Sequence, residues 1–109
     1  MIDEAMKMNI RVLALTEMRT ANRINPPFID AHHGYAVLKE EIEETEEELK
    51  AVKQMLESMW SSIRNDTTPK MSVTMMEEHA INLAAEAIQV IAMCEKFRNS
   101  SQHWNLKIF

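Results

Sequence analysis

The chain has 109 residues, only one glycine and three prolines, and a formal net charge of −5. So few turn-forming residues exclude a hairpin-rich β fold, and a hydrophobic content of 46%, with ten methionines, allows a helical core. The negative charge argues against nucleic-acid binding, and no apolar run approaches the roughly 20 residues of a membrane span. We expect one all-α domain over residues 1–109, with neither nucleic-acid nor membrane partners.

The amino-terminal sequence and the single cysteine indicate a cytoplasmic protein. A signal peptide typically begins with a basic region followed by an apolar run, and residues 1–7 lack this pattern. Cys94 has no second cysteine with which to form an internal disulfide, as is usual in a reducing compartment.

The first predicted helix spans residues 2–21. Its apolar side chains cover an arc of roughly 220° on a helical wheel, which predicts a helix that is covered on two sides. The sequence Asn25-Pro26-Pro27 then ends it, because proline lacks the backbone N–H and restricts the residue before it.

The second predicted helix spans residues 30–64, with Asp30 as its N-cap. From Leu38 to Ile63 the apolar positions alternate between steps of four and three, which is a heptad-like seam with one polar member, Thr45. Seven of the nine residues from Glu40 to Glu48 are glutamate. The segment 65–69 is a predicted loop.

The third predicted helix spans residues 75–98, opened by a capping-box pattern at Thr74-Met75-Met76-Glu77. Its apolar face is wide, so we expect it to be the central helix. The tail, 99–109, carries Trp104, Leu106 and Ile108 at alternating positions. It either docks as an extended strand on the core or on a second copy, or frays. We predict an antiparallel bundle of three main helices, completed by homo-oligomerisation as a dimer or tetramer.

Two polar stripes border the apolar seams. On the second helix Glu41, Glu44 and Glu48 lie side by side, where their charges repel unless a cation neutralises them. On the third helix the stripe steps by three, four and three through His79, Asn82, Glu86 and Gln89. If the helices pack antiparallel, the stripes face each other and offer the oxygen ligands that Mg²⁺ or Mn²⁺ prefers. The alternative is an ordinary solvated helix face.

Two segments of the sequence resemble a known enzyme family. They are HHGYAVLKEEIEE, residues 32–44, and AAEAIQVIAM, residues 84–93. They are similar to the MazG-like all-α nucleoside triphosphate pyrophosphohydrolases, especially the divergent versions carried by phages and prophages. The resemblance covers roughly residues 28–98.

The family signature is Glu-Glu-x-x-Glu on one helix and Glu-x-x-Asp on the next. Glu40, Glu41 and Glu44 match the first half, and Glu86 matches the first position of the second half. Gln89 stands where the family has aspartate, so the site has one negative charge fewer. The interval from Glu44 to Glu86 is also longer than is usual in the family.

The resemblance implies hydrolysis of a nucleoside triphosphate to the monophosphate and pyrophosphate. Mg²⁺ or Mn²⁺ would then be held by Glu41, Glu44, Glu86 and Gln89. Glu40, or another of the catalytic glutamates Glu41 and Glu44, would orient or deprotonate the attacking water. Predicted substrate contacts are His32, His33, Tyr35, Lys39, His79 and Asn82, with Arg98 as a further phosphate contact.

The alternative function is that of a non-catalytic acidic helical module of phage or prophage origin that binds a protein partner. Gln89 favours this alternative, because a degraded metal site often accompanies lost catalysis. A purely structural coiled coil fits less well, since the apolar arc of the first helix is wider than a two-stranded seam needs.

Overall fold

A computed structural model describes residues 1–104, which fold into three α-helices. They are α1, Glu4–Ile24; α2, Ala31–Arg64; and α3, Lys70–Ser101. The described residues contain no strand, so the all-α prediction with three main helices is confirmed. None of these helices combines the length and apolarity needed to cross a membrane. Leu106 and Ile108 of the predicted tail strand lie outside the described residues.

Helix α1 begins two residues later and ends three residues later than predicted. Its start is set by Asp3, whose Oδ1 accepts a hydrogen bond from the Met6 N–H at 2.7 Å. At the other end, the Asn25 N–H still donates to the Ala21 carbonyl at 2.7 Å. The backbone becomes extended only at Asn25, the residue that directly precedes the first proline.

Helix α2 follows the prediction closely. Asp30 is its N-cap and accepts from the His33 N–H at 2.8 Å, so the helix proper starts at Ala31. Its 34 residues form a rod of about 51 Å, which accounts for most of the 62 Å long axis of the molecule.

Helix α3 begins five residues before the predicted start, and the predicted capping box is wrong. The Thr74 hydroxyl donates to the Lys70 carbonyl at 3.0 Å, as an interior helix residue does. Pro69 precedes the first turn. The helix also continues to Ser101, and near its end the buried Ser100 hydroxyl accepts a hydrogen bond from the Phe28 N–H at 3.0 Å. The first residues of the predicted tail, 99–101, are therefore helical.

Trp104 docks on the core through a turn and not through a strand. Its Nε1–H donates to the Phe28 carbonyl at 3.0 Å. Its ring packs edge-on against Phe97, with centroids 5.1 Å apart.

Helices α2 and α3 pack as an antiparallel hairpin. The hydroxyls of Ser58 and Ser72 are 2.8 Å apart, and further from the loop Glu48 Oε2 lies 2.9 Å from His79 Nδ1. Helix α1 packs on the other part of α3, so α3 is central, as predicted.

The core lies at one end of the molecule, where the α1–α2 loop meets α3. Met18, Phe28, Ala92 and Met93 form it, and each is at most 7% exposed. Gly34 in α2 lies directly beneath two aromatic rings. A Cβ at this position would overlap Phe97 Cδ2 and lie 3.1 Å from Phe28 Cδ2. The absence of a side chain at Gly34 thus allows the start of α2 to approach α3.

The wide apolar face of α1 is covered on one side only within the single chain. Ala14 and Met18 are buried, whereas Met6, Val12 and Leu13 are each more than 50% exposed. The chain exposes 8566 Å², against about 6,200 Å² for a compact monomer of 12.7 kDa. Its radius of gyration is 18.1 Å, against about 13 Å for a compact domain of this length. The prediction that helix α1 is covered on two sides is therefore not met within one chain.

Candidate functional site

An acidic cluster forms where α2 and α3 face each other. Glu41 and Glu44 share one face of α2 because they are three residues apart, and the antiparallel pairing places Glu86 of α3 opposite them. One carboxylate oxygen from each lies within 4.8 Å of those from the other two, and all three residues are half-buried. Among the described residues this is the one group of three or more potential His, Cys, Asp or Glu ligands.

The charges in this acidic cluster repel one another. The pKa of Glu41 is raised by burial and then by the charges of Glu44, Glu86 and Glu40. The pKa of Glu86 is raised by burial and then by the charges of Glu44 and Glu48. Keeping these carboxylates ionised in the folded chain therefore costs free energy, which a bound cation would offset.

The donor set fits a hard divalent cation. Carboxylate oxygens are the ligands of Mg²⁺ and Mn²⁺. Two oxygens bound to one Mg²⁺ at about 2.1 Å lie at most about 4.2 Å apart. The oxygens of the acidic cluster lie within 4.8 Å of each other, so small side-chain rotations bring them to that distance. With no cysteine or histidine among the three, the cluster suits zinc less well.

A cleft of about 440 Å³ extends from Glu41 to the end of the molecule that holds the core. The end of α1, the α1–α2 loop, the start of α2 and one face of α3 form its walls. Its apolar lining includes Phe28, Val37 and Met93, and its polar lining includes Glu41, His33, Gln89 and Lys96. The cleft thus has an acidic end and a basic end, separated by apolar surface.

Lys96 forms the basic end of the cleft. Its side chain is buried, with the residue only 4% exposed, and Nζ lies 4.8 Å from the centroid of the Phe28 ring. Within residues 1–104 Lys96 makes no ion pair, and burial lowers the pKa of its ammonium group. A largely buried lysine whose ammonium lies beside an aromatic face and lines a cleft offers a position for an anion.

Lys96 was not among the residues predicted from the sequence, whereas Arg98 was predicted as a phosphate contact. Arg98 is exposed, pairs with Glu95 on its own helix and does not line the cleft. The signal for Lys96 was present in the spacing. The stripe through Glu86 and Gln89 continues by steps of four and three to Met93 and Lys96, which places them all on one face of α3.

Gln89, the fourth predicted metal ligand, has an amide side chain and lines the cleft. Its Nε2 donates to Glu17 Oε2 of α1 at 2.9 Å. Glu17 is a second residue that sequence reasoning missed, because no periodicity within α1 indicates which residue of α3 it contacts. The hydrogen bond fixes the amide of Gln89 beside the acidic end of the cleft.

His33 is the one histidine of the predicted substrate contacts that lines the cleft. Its Nδ1 accepts a hydrogen bond from the Ile29 N–H at 3.1 Å, and its ring packs edge-on against Phe28 with centroids 5.1 Å apart. Because Nδ1 is an acceptor, the neutral ring carries its proton on Nε2.

Tyr35 and Lys39 lie outside the cleft. They line a separate, largely apolar groove between α2 and α3 together with Val90 and Cys94. Lys39 also pairs with Glu43 on its own helix at 3.8 Å.

The remaining predicted residues lie on or near the helix surfaces. His79 hydrogen-bonds to Glu48 through Nδ1 and is half-buried between α2 and α3. His32, Asn82 and Glu40 are exposed, and none of them lines the cleft. Glu40 nevertheless acts on the acidic cluster, since its charge contributes to the raised pKa of Glu41.

Comparisons of the chain with protein-family models, with curated proteins and with solved structures find no significant match. The resemblance to the MazG-like pyrophosphohydrolases therefore stays a prediction.

Proposed function

We propose that this chain is a divalent-metal-dependent hydrolase of the MazG-like type, which converts a nucleoside triphosphate to the monophosphate and pyrophosphate. One observation carries the proposal: Glu41, Glu44 and Glu86 converge from two helices, and Glu41 also lines a cleft whose other end holds a buried lysine. Such a site has complementary positions for a cation and for the phosphate oxygens of a substrate.

The acidic cluster would hold Mg²⁺ or Mn²⁺. When bound, the cation neutralises charge on phosphate oxygens and lowers the pKa of water. Glu40, next to the cluster and exposed, or another of the catalytic glutamates Glu41 and Glu44 would orient or deprotonate the attacking water. Gln89, held by Glu17, offers an amide to the substrate where a family member would offer a carboxylate. The apolar surface of Phe28, Val37 and Met93 excludes water beside the reacting phosphates.

We also propose that the working form is a homo-oligomer, a dimer or tetramer, located in the cytoplasm with its nucleotide substrate. The chain exposes about 2,300 Å² more than a compact monomer of its mass would, which exceeds the roughly 800 Å² per partner of a standard interface. A second copy on the exposed face of α1 would provide the missing cover. Sedimentation velocity of the purified chain tests this, and a monomer at micromolar concentration would contradict it.

The activity is tested by measuring pyrophosphate release from a panel of canonical and modified nucleoside triphosphates, with Mg²⁺ or Mn²⁺. We expect turnover of at least one nucleotide by the native chain. Glu41→Gln should lower kcat by about a hundredfold or more, the scale of losing one group that stabilises transition-state charge. Glu47→Gln, an exposed glutamate on the same helix, is the matched control and should keep full activity. No turnover by the native chain, or equal turnover by both variants, rejects the proposal.

The second candidate is a non-catalytic acidic helical module of phage or prophage type that binds a protein partner. Gln89 favours it, because its amide nitrogen is occupied by Glu17 and the site has one carboxylate fewer than the family signature. Thermal melting separates the two functions. Stabilisation by millimolar Mg²⁺ or Mn²⁺ supports the hydrolase, and an unchanged Tm supports the interaction module.

A further inference from the structure

We propose that Lys96 is the anion-binding residue of the cleft, and that it binds the part of a polyphosphate group that extends away from the acidic cluster. The assignment deepens the proposed function and rests on it for the identity of the substrate. The first observation below, which concerns Lys96 alone, is independent of the acidic cluster.

The first observation is a largely buried lysine that has no counter-charge among residues 1–104. Lys96 is 4% exposed, and none of its neighbours among residues 1–104 brings a carboxylate within ion-pair distance of Nζ. Partial removal of the Lys96 ammonium from water costs free energy, as its lowered pKa indicates, and the Phe28 ring at 4.8 Å from Nζ offsets only part of that cost. A bound anion would remove the remaining imbalance.

The second observation is where Lys96 lies relative to the acidic cluster. Gln89 and Lys96 occupy the same face of α3, seven residues and therefore about 10 Å apart along the axis. Side chains of a helix lean toward its amino terminus, so Lys96 leans toward Gln89 and the acidic end. Both residues line one cleft of about 440 Å³.

The third observation is that the surface between these two ends suits a ligand with separated charges. His33 lines the same cleft, and its Nε2–H is available to donate because Nδ1 already accepts from Ile29. The other walls include the apolar Phe28 and Met93. A ligand that carries one phosphate toward a cation at Glu41 and another toward Lys96 satisfies both ends, whereas a single small anion satisfies only one.

The test is isothermal titration calorimetry with inorganic pyrophosphate in chelator and at constant ionic strength, so that no divalent cation contributes. We expect saturable binding by the native chain. Lys96→Met keeps the length of the side chain and removes its charge, and should weaken pyrophosphate binding by about tenfold to a hundredfold. Lys96→Arg, which keeps the charge, should retain most of the affinity. Lys53→Met is the matched control, because Lys53 is exposed on α2 away from the cleft, and it should bind as the native chain does.

Two results would overturn the assignment: no saturable binding of millimolar pyrophosphate by the native chain, or equal affinities for the native chain and Lys96→Met. Circular dichroism and thermal melting establish that each variant is folded. If Lys96→Met does not fold, Lys96→Arg gives a second readout. Because divalent metal is absent, failure here is distinct from failure of the hydrolase proposal, which is judged by turnover and by Glu41→Gln.

Discussion

Replacing Glu41 with glutamine should make the metal-free chain more stable, although Glu41 is a proposed ligand. The carboxylate oxygens of Glu41, Glu44 and Glu86 lie within 4.8 Å of one another. Two unit charges at that distance repel by about 0.9 kcal/mol in water and by about 3.5 kcal/mol at an effective dielectric constant of 20. Glu41→Gln removes two such pairs, and because the cluster is only half-buried we take the value in water for each pair. We therefore expect a gain of roughly 2 kcal/mol in the free energy of unfolding.

Metal should reverse the order of stability. A cation that binds only the folded state at a hundred times its Kd stabilises it by about 2.7 kcal/mol. The native chain should gain this amount, and Glu41→Gln should gain much less because it offers one carboxylate fewer. The assay is thermal melting of the native chain, Glu41→Gln and the surface control Glu47→Gln, in chelator and in Mg²⁺. Protein concentration is fixed throughout, since the Tm of an oligomer depends on it.

The expected result is a crossing: Glu41→Gln melts above the native chain in chelator, by about 4 °C or more, and below it in saturating Mg²⁺. Glu47→Gln should follow the native chain in both buffers. A lower Tm for Glu41→Gln in chelator would refute the account of mutual repulsion. Equal Mg²⁺ responses in all three chains would refute the cation site.

Three further predictions concern packing, charge and association. Gly34→Ala should destabilise the fold by about 1–3 kcal/mol in urea unfolding, because the new Cβ meets Phe97 and this overpacking exceeds the gain in helix propensity of about 1 kcal/mol. Lys96→Met should raise Tm at neutral pH. Between the lowered pKa of Lys96 in the folded chain and its usual value of 10.5, only the unfolded chain keeps the proton. In that pH range the stability of the native chain relative to Lys96→Met should rise as the pH rises. Leu13→Asp, on the exposed face of α1, should shift sedimentation velocity toward the monomer; an unchanged profile would place the interface elsewhere.

Several local features of the fold could be predicted because each depends on short-range chemistry. Asp30 caps α2 through the His33 N–H, and the prolines after Asn25 end α1, as the sequence indicated. The convergence of Glu41 and Glu86 also followed from periodicity, because two stripes that border apolar seams must meet when the seams pack antiparallel.

One local signal was misleading, and features that depend on tertiary contacts were not predictable in the same way. The capping-box pattern at Thr74 was misleading because its hydroxyl bonds within the helix to Lys70, and the loop lets α3 begin earlier. The pairing of Glu17 with Gln89 depends on how α1 lies across α3, and no pattern in the sequence indicates which residues of the two helices meet. Tyr35 lies close to the acidic run in sequence but faces a different groove, since a few residues of helix change the face that a side chain occupies.

The arrangement of charge in the cleft is what links the two proposals. Glu41 and Lys96 line the same cleft and have opposite charges, yet they form no ion pair, and each has a pKa shifted against its charged form by burial. Direct pairing would stabilise both groups in the ligand-free chain. Keeping them apart leaves each available to a ligand group of opposite charge, a cation at the acidic end and a phosphate at the basic end. On this account Glu41→Gln and Lys96→Met each stabilise the ligand-free fold while weakening ligand binding, a combination that a purely structural role for either side chain would not produce.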